Sequence, residues 1–205
     1  MSRAKEKFDK TIARCNDMVH LYTRLKENGE AASQDILRGA IVLSVAAFDA
    51  YATDCFSEHF INYIKKYNVD NSIITLLTDA GFDVRFALDL IKTDRPYRKI
   101  RTIIDKHYSK YTTQRIKVID DLFQLYHIDK ITKNAAKKAG KKPETFLKSV
   151  ERLVERRHCI VHDGDYNDHN RITKVTSTDI KRIETLKVLV DNMEEIINNR
   201  FSRSR

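Results

Sequence analysis

The sequence predicts an all-α protein, an up-and-down helical bundle. Five Gly, two Pro and no Trp among 205 residues leave little of the turn chemistry that a many-stranded sheet requires. Apolar residues recur at intervals of three and four over long stretches, as on one face of a helix. A hydrophobic content of 41% is enough for one ordinary core at this length. We therefore expect a single helical domain over residues 1–205.

The first predicted helix covers residues 4–27. Its apolar residues lie at helical spacing, so that they form one stripe along the helix. Asn28 and Gly29 follow, and this pair is a common signal for the end of a helix. We therefore expect the chain to turn here before a second helix.

The second predicted helix is long and apolar, and it covers residues 34–67. Ser33 is a good N-cap for it, and only Gly39 interrupts the helical pattern. The segment 40–52 contains a single charged residue, Asp49. A helix that is apolar on nearly all sides is typical of the centre of a bundle, so Asp49 needs a partner there.

Short helices are expected in the middle of the chain, where breakers such as Gly81 and Pro96 recur every few residues. We interpret residues 70–140, approximately, as a variable insertion of small basic helices. The predicted helices lie at 72–79, 84–92, 97–110 and 114–126.

Two longer helices are expected in the last third of the chain. One covers residues 143–162, because Pro143 is tolerated in a first turn and Asp163, Gly164 and Asp165 end the helical pattern. After a polar loop, Thr176 and Ser177 can cap the last helix. Its apolar residues lie at helical spacing from position 180 to position 197.

Targeting and redox features are sparse. No run of 18 apolar residues exists, and the charged N-terminus does not resemble a signal peptide, so we expect a soluble cytoplasmic protein. Three cysteines, Cys15, Cys55 and Cys159, lie far apart without Cys-x-x-Cys spacing, which indicates reduced thiols.

Positive charge is concentrated in the middle of the chain. Residues 92–117 hold nine basic and two acidic residues, and residues 130–148 hold seven basic and one acidic residue. Aromatic rings interleave with the first cluster, a combination suited to single-stranded RNA; the alternative for both clusters is a solvated helix face. The rings are those of Tyr97, His107, Tyr108 and Tyr111. The candidate RNA-binding residues are Arg95, Tyr97, Arg98, Lys99 and Arg101.

An arginine interrupts the apolar stripe of the predicted helix 143–162. The stripe runs through Phe146, Val150 and Leu153, and the next position is Arg157. A guanidinium at a core position is costly unless a carboxylate or phosphate pairs with it. Asp49 is the obvious internal candidate, and a buried ion pair that only joins two helices is one interpretation.

Two histidines accompany this arginine. His158 and His162 are four residues apart and therefore share one helical face. Arg157 and His162 are about 140° apart on an ideal helix, so two copies across a two-fold axis could aim both groups at one phosphate more readily than one copy. A metal site is a minor alternative, kept open by Asp163 and Asp165 although the sequence has no His-Glu-x-x-His motif.

The segment from Arg157 to His162 resembles the Arg-x4-6-His signature of the HEPN superfamily of helical ribonuclease domains. The Asp-Gly-Asp that follows, and the acid-bearing helix sequence AAFDAYATDCF, are similar to HEPN proteins of the RiboL-PSP type. The resemblance covers roughly residues 34–66 and 143–200. Many toxin members have a tyrosine two residues after the histidine, where this sequence has Gly164, and the nearest tyrosine is Tyr166.

The resemblance implies a metal-independent endoribonuclease that needs no cofactor. His162 would act as general acid or base, Arg157 would hold the phosphate, His158 would orient it, and Asp49 would position one of these side chains. Attack by the neighbouring 2′-hydroxyl would leave a 2′,3′-cyclic phosphate. The active site would be shared in a homodimer, with RNA as substrate.

The resemblance also leaves other functions open. HEPN members include non-catalytic RNA-binding or assembly modules, and partners in antiviral defence or toxin–antitoxin systems. An antitoxin or defence partner is therefore a further expectation, and a membrane partner is not. A purely structural helical interaction protein is the third interpretation.

Overall fold

The protein is all-α, as the sequence predicts. The computed structural model describes residues 1–27, 33–108, 113 and 115–202. These ranges contain nine helices and no β-strand. The helices are α1 (Arg3–Glu27), α2 (Ser33–Lys66), α3 (Asn71–Asp79), α4 (Val84–Ile91), α5 (Pro96–Tyr108), α6 (Ile116–Gln124), α7 (Ile131–Lys138), α8 (Pro143–His162) and α9 (Ser177–Ser202).

The four long helices lie within a few residues of their predicted bounds, but α7 has no counterpart among the predictions. Its buried residues include Ile131, Ala135 and Ala136, and two of these are alanines set among lysines. Small apolar residues give a weak periodic signal, so the helix is hard to detect in the sequence. The expected stop at Asn28 and Gly29 lies outside the described residues, as does Tyr111.

Helix α2 lies at the centre of the bundle. It packs against α1, α5, α6, α8 and α9. Its fully buried side chains include Ile41, Phe48, Tyr51 and Phe60. In the described ranges it is the one helix long and apolar enough to cross a membrane, but 50% of its apolar window is buried inside the bundle. Such burial is typical of a core helix.

Helix α9 runs parallel to α2. Near their first turns, the side-chain oxygen of Gln34 accepts a hydrogen bond from the amide of Val175 at 2.8 Å. Near their last turns, Lys66 Nζ donates to the carbonyl of Phe201 at 3.5 Å. Helix α8 packs against both and runs in the opposite direction, so that its C-terminal end lies beside the start of α2.

The first turn of α9 is capped as the sequence indicates. The amide and the hydroxyl of Thr176 both donate to Asp179 Oδ2 at 2.9 Å, and the Asp179 amide donates back to the Thr176 hydroxyl at 3.4 Å. This reciprocal arrangement satisfies amide groups that a helix start would otherwise leave unpaired.

A buried carboxylate ties the N-terminal residues to α9. Glu194 accepts hydrogen bonds from the Ser2 amide, the Ser2 hydroxyl at 2.9 Å and the Tyr51 hydroxyl at 3.2 Å. Burial alone would raise the pKa of Glu194, but the two hydrogen bonds from Ser2 and those from Asn198 and Tyr51 outweigh it, so this pKa lies below its ordinary value.

The middle helices contribute to the same hydrophobic core as the long ones. Ile104 of α5, Ile119 and Phe123 of α6 and Ile131 of α7 are fully buried in it. The basic side chains of these helices are therefore carried on their outer faces.

The three cysteines are free, as predicted. Cys15 and Cys55 are buried, and burial raises the pKa of Cys15 to about 11 although Arg14 opposes the shift. A thiol with such a pKa stays protonated near neutral pH and is a poor nucleophile.

Candidate active site

The C-terminal half of α8 places Arg157 on the side of the helix that faces the core. Phe146, Val150 and Leu153 are buried along this side, and Arg157 continues the same stripe. Arg157 is half-buried, and its Nε is enclosed without a hydrogen-bond partner. Its guanidinium forms no ion pair with any carboxylate in the described ranges. A cation in this state is available to a phosphate.

The expected pairing of Arg157 with Asp49 is wrong. Asp49 Oδ1 instead accepts two hydrogen bonds from Thr113, from its amide and from its hydroxyl, both at 2.6 Å. Asp49 is also eleven residues further along α2 than Arg38, which lies beside the end of α8. At 1.5 Å per residue the offset is about 16 Å, too far for an ion pair with Arg157. Asp49 therefore joins α2 to the segment before α6.

His158 and His162 lie side by side on the last turn of α8, as their spacing predicts. The centroids of the two imidazole rings are 4.4 Å apart, and both residues are exposed. Neither ring has a hydrogen-bond partner among the described residues. The two rings and the guanidinium of Arg157 are thus carried on six consecutive residues at the end of one helix.

A buried carboxylate holds the chain after the histidines, whereas the sequence indicated it only as part of a helix end and of a minor alternative metal site. Asp165 is 1% exposed and lies between the guanidinium groups of Arg38 and Arg156. Arg38 Nε donates to Asp165 Oδ2 at 2.6 Å, and Arg156 donates to both carboxylate oxygens. Both arginines also donate to the carbonyl of Thr173, at 2.8 and 3.0 Å.

This cluster of Asp165, Arg38, Arg156 and the Thr173 carbonyl, here called the Asp165 clamp, joins the start of α2, the end of α8 and the loop between α8 and α9. Burial alone would lower the pKa of Arg38, but Asp165 and Asp35 outweigh it and hold this pKa above its ordinary value. Arg38 therefore remains charged at every pH of interest. The sequence held one signal for this clamp: Arg156 and Arg157 are adjacent on α8, so only one of the two side chains can face the core.

The loop held by the clamp forms a small hairpin. Tyr166 and Ile172 form an isolated antiparallel bridge, and the Asn167 side chain accepts hydrogen bonds from the amides of His169 and Arg171 at 3.0 Å. The ring of Tyr166 lies beside Gly164, 3.4 Å from where a Cβ would stand. Tyr166 is 51% exposed, so its hydroxyl is not fixed by the bundle.

The candidate RNA-binding residues of the first basic cluster lie at the opposite end of the bundle. Tyr97, at the start of α5, carries Lys65 Nζ over its ring at 3.9 Å from the centroid. Lys65 is twenty-seven residues beyond Arg38 on α2, about 40 Å along the helix. Arg95, Arg98 and Lys99 are exposed there, and Arg101 Nε is 3.8 Å from Asp105. The structure does not bring these residues to Arg157 and His162.

No group of three or more His, Cys, Asp and Glu side chains in the described ranges is placed to hold a metal ion. Asp165, which kept this alternative open, is fully engaged by two arginines. Its carboxylate is therefore not free to act as a ligand.

The chain matches one family model over nearly its whole length. The model is that of the RiboL-PSP-HEPN family, and it matches residues 9–199. This chain belongs to the RiboL-PSP-HEPN family. The match confirms the HEPN resemblance, and HEPN domains are all-α bundles that include many ribonucleases. A comparison with curated proteins found no match, and a comparison with solved structures found none either.

Within this RiboL-PSP-HEPN domain, the geometry brings together three of the four predicted catalytic residues. Arg157, His158 and His162 share the end of α8, whereas the Asp49 carboxylate is bound by Thr113. The matched range also includes the middle helices α3 to α7.

Proposed function

We propose that this protein is a metal-independent endoribonuclease that cleaves RNA by attack of the neighbouring 2′-hydroxyl and leaves a 2′,3′-cyclic phosphate. The observation that carries the proposal is that the end of α8 carries an unpaired, half-buried guanidinium, that of Arg157, and two exposed imidazoles. Membership of a family rich in ribonucleases supports it.

Each side chain has a role that its environment permits. His162 acts as general acid or base, the usual role of an imidazole in proton transfer, and its ring is open to solvent. Arg157 binds the phosphate and stabilises the charge that develops on its non-bridging oxygens. His158, with its ring 4.4 Å from that of His162, orients the phosphate. In this proposal Asp49 has only a structural role, because its carboxylate accepts hydrogen bonds from Thr113.

The active site is completed by a second copy of the chain in this proposal. Arg157 and His162 point about 140° apart on one helix, so a two-fold arrangement lets the histidine of one copy meet the arginine of the other at one phosphate. Val161, adjacent to His162, and Ile172, in the hairpin after α8, are apolar side chains 46% and 55% exposed, and they suit such contact.

The cellular setting is part of the same proposal. We expect a single cytoplasmic HEPN domain over residues 1–205, with the variable basic segment near 70–140. The expected role is phage defence, a toxin–antitoxin pair or RNA processing, and an antitoxin or defence-system protein is the expected partner.

A non-catalytic RNA-binding or assembly module is the second candidate. The observation that favours it is that neither imidazole is hydrogen-bonded to a described carboxylate or carbonyl. Catalytic histidines usually have such a partner, which sets the tautomer and fixes the ring. In this alternative the histidines only bind phosphate.

One experiment separates the two candidates. Labelled single-stranded RNA and the matching DNA are incubated with pure protein in EDTA, and wild type is compared with Arg157→Ala and His162→Ala. The nuclease proposal expects cleavage of RNA alone, with cyclic phosphate ends that both variants lose. RNA binding without cleavage of any RNA, in folded wild-type protein, would establish the module instead.

A further inference from the structure

A basic groove runs between α8 and the first half of α9. It consists of two adjoining hollows that share Thr145 and Ser149, and the first has a volume of about 540 Å³. We call it the α8–α9 groove. Its basic residues are Lys141, Lys142, Lys148, Arg152, Lys181 and Arg182.

The positive charge of this groove is largely uncompensated. Only two carboxylates, Glu144 and Glu184, line it against six cations. Of these cations Arg182 alone has an ion pair in the described ranges, to Asp179 at 2.5 Å. On α1, by contrast, basic residues such as Lys7 and Lys10 pair with acidic neighbours. Unpaired cations with hydroxyl groups between them suit the phosphate backbone of a nucleic acid.

The groove leads along α8 to the candidate active site. Arg152 precedes Arg157 by five residues, about 7.5 Å along the helix, and Lys142 precedes it by fifteen, about 22 Å. The longer distance corresponds to roughly six stacked nucleotides at 3.4 Å each. Lys148 and His162 are fourteen residues apart, so they lie within about 40° of one another around α8, whereas Arg157 lies about 180° from Lys148. The groove therefore approaches His162 and not the core-facing Arg157.

Two carboxylates lie on this path. Glu155 is seven residues from Lys148 and seven from His162, and Glu151 is eleven residues from His162, so both exposed side chains lie on the same side of α8. A phosphate that passes from the groove to His162 must come near these negative charges. The sequence therefore provides residues whose neutralisation should strengthen RNA binding.

We propose that the α8–α9 groove binds the phosphate backbone of single-stranded RNA and directs the strand to His162, an inference that rests on the proposed function. Cations of the groove contact phosphates, and hydroxyls such as those of Thr145 and Ser149 bond to phosphate or ribose oxygens. The basic surface of α5, about 40 Å away along α2, then lies too far off to position the nucleotide that is cut.

The test compares two matched double variants in the His162→Ala protein, which keeps RNA intact. The groove variant is Lys148→Ser with Arg152→Ser, and the control is Arg95→Ser with Arg98→Ser at the start of α5. Both pairs remove two exposed cations that have no ion pair in the described ranges. Binding of a labelled single-stranded RNA of twelve nucleotides is measured by fluorescence anisotropy at several salt concentrations, with thermal unfolding as a check on folding.

The groove variant should bind RNA roughly 5- to 30-fold more weakly at low salt, because each lost ion pair is a modest contribution. The slope of log K against log salt should fall by about 1.4, since each single-strand phosphate contact contributes about 0.7. The control variant should change neither quantity, and Glu155→Gln should strengthen binding. DNA of the same sequence should depend on the groove in the same way.

Several results would overturn the groove assignment. Equal weakening by both double variants, or a larger effect of the α5 variant, would place the RNA elsewhere. Groove-dependent binding of an acidic polyglutamate peptide, with no binding of RNA, would make the groove a site for an acidic protein partner.

The groove and the nuclease activity can fail separately. If His162-intact protein cuts RNA and the groove variant has the wild-type kcat/KM, the groove assignment is wrong and the nuclease proposal stands. If RNA binding depends on the groove but no RNA is cut, the groove assignment holds and the nuclease proposal is wrong.

Discussion

Replacing Asp165 with asparagine tests whether the Asp165 clamp holds the end of α8 and the hairpin in place. Asp165 is 1% exposed, and it accepts hydrogen bonds from Arg38 Nε and from both terminal nitrogens of Arg156. The side chains of these arginines are only 12% and 13% exposed. The variant keeps the volume of the side chain but leaves the poorly solvated Arg156 without a counter-charge and Arg38 with only the exposed Asp35, and it turns one acceptor into a donor.

The expected loss is about 3 kcal/mol of the free energy of unfolding. Removing one partner of a buried ion pair costs about 3–5 kcal/mol, and the lower end applies because water still reaches both guanidinium groups and the Thr173 carbonyl still accepts from them. For a chain of this size the loss corresponds to a fall in Tm of about 6–12 °C. Urea denaturation followed by circular dichroism measures it.

Asp35 supplies a matched control on the same arginine. Its carboxylate is 2.8 Å from a terminal nitrogen of Arg38 but 77% exposed, so Asp35→Asn should cost less than about 1 kcal/mol. A cost below about 1 kcal/mol for Asp165→Asn, or equal costs for the two variants, would refute the conclusion that the clamp stabilises this part of the fold.

Three further predictions concern other parts of the molecule. Arg157→Ala should abolish RNA cleavage and leave the midpoint of urea unfolding nearly unchanged, because Arg157 has no ion pair in the described ranges. Arg156→Ala should lower that midpoint, because it breaks the Asp165 clamp. The reverse pattern of midpoints would contradict both assignments. Leu153→Ala should lower the free energy of unfolding by about 2–5 kcal/mol in urea titrations, because the side chain is fully buried, and a smaller loss would mean that α8 packs less tightly. The pKa of Glu194 is lower in the folded chain than in the unfolded chain. The ionised carboxylate therefore stabilises the fold above its unfolded pKa, and this stabilisation is lost as the pH falls through the folded pKa. Glu194→Gln should flatten the decline of Tm between pH 6 and pH 3, and an unchanged decline would contradict this.

Local sequence patterns predicted most of the helices because helix formation depends on neighbours three and four residues apart. The N-terminal cap of α9 follows from Thr176, and the end of α8 follows from the Asp-Gly-Asp segment. The same local rules put His158 and His162 on one face, and the structure agrees. Helix α7 was missed because its buried positions include small alanines, which give little periodic contrast.

The pairing of charged residues could not be predicted in the same way. Asp49 and Arg157 each stand out in an apolar pattern, and the sequence alone suggested that they meet. The axial offset between α2 and α8 decides otherwise, and it assigns Asp49 to Thr113 and leaves Arg157 unpaired in the described ranges. An ion pair requires its atoms within about 4 Å, whereas a sequence pattern specifies only the face of each helix.

The sequence by itself therefore determined the all-helical class, the central position of α2, and the grouping of Arg157, His158 and His162 on one helical end. Only the tertiary structure decided which of two adjacent arginines binds Asp165, how far the basic surface of α5 lies from the histidines, and which cations line the α8–α9 groove. The physical reason is the distance along the chain over which each interaction acts. Helical periodicity and capping involve residues a few positions apart, whereas these contacts depend on the direction and offset with which separate helices pack.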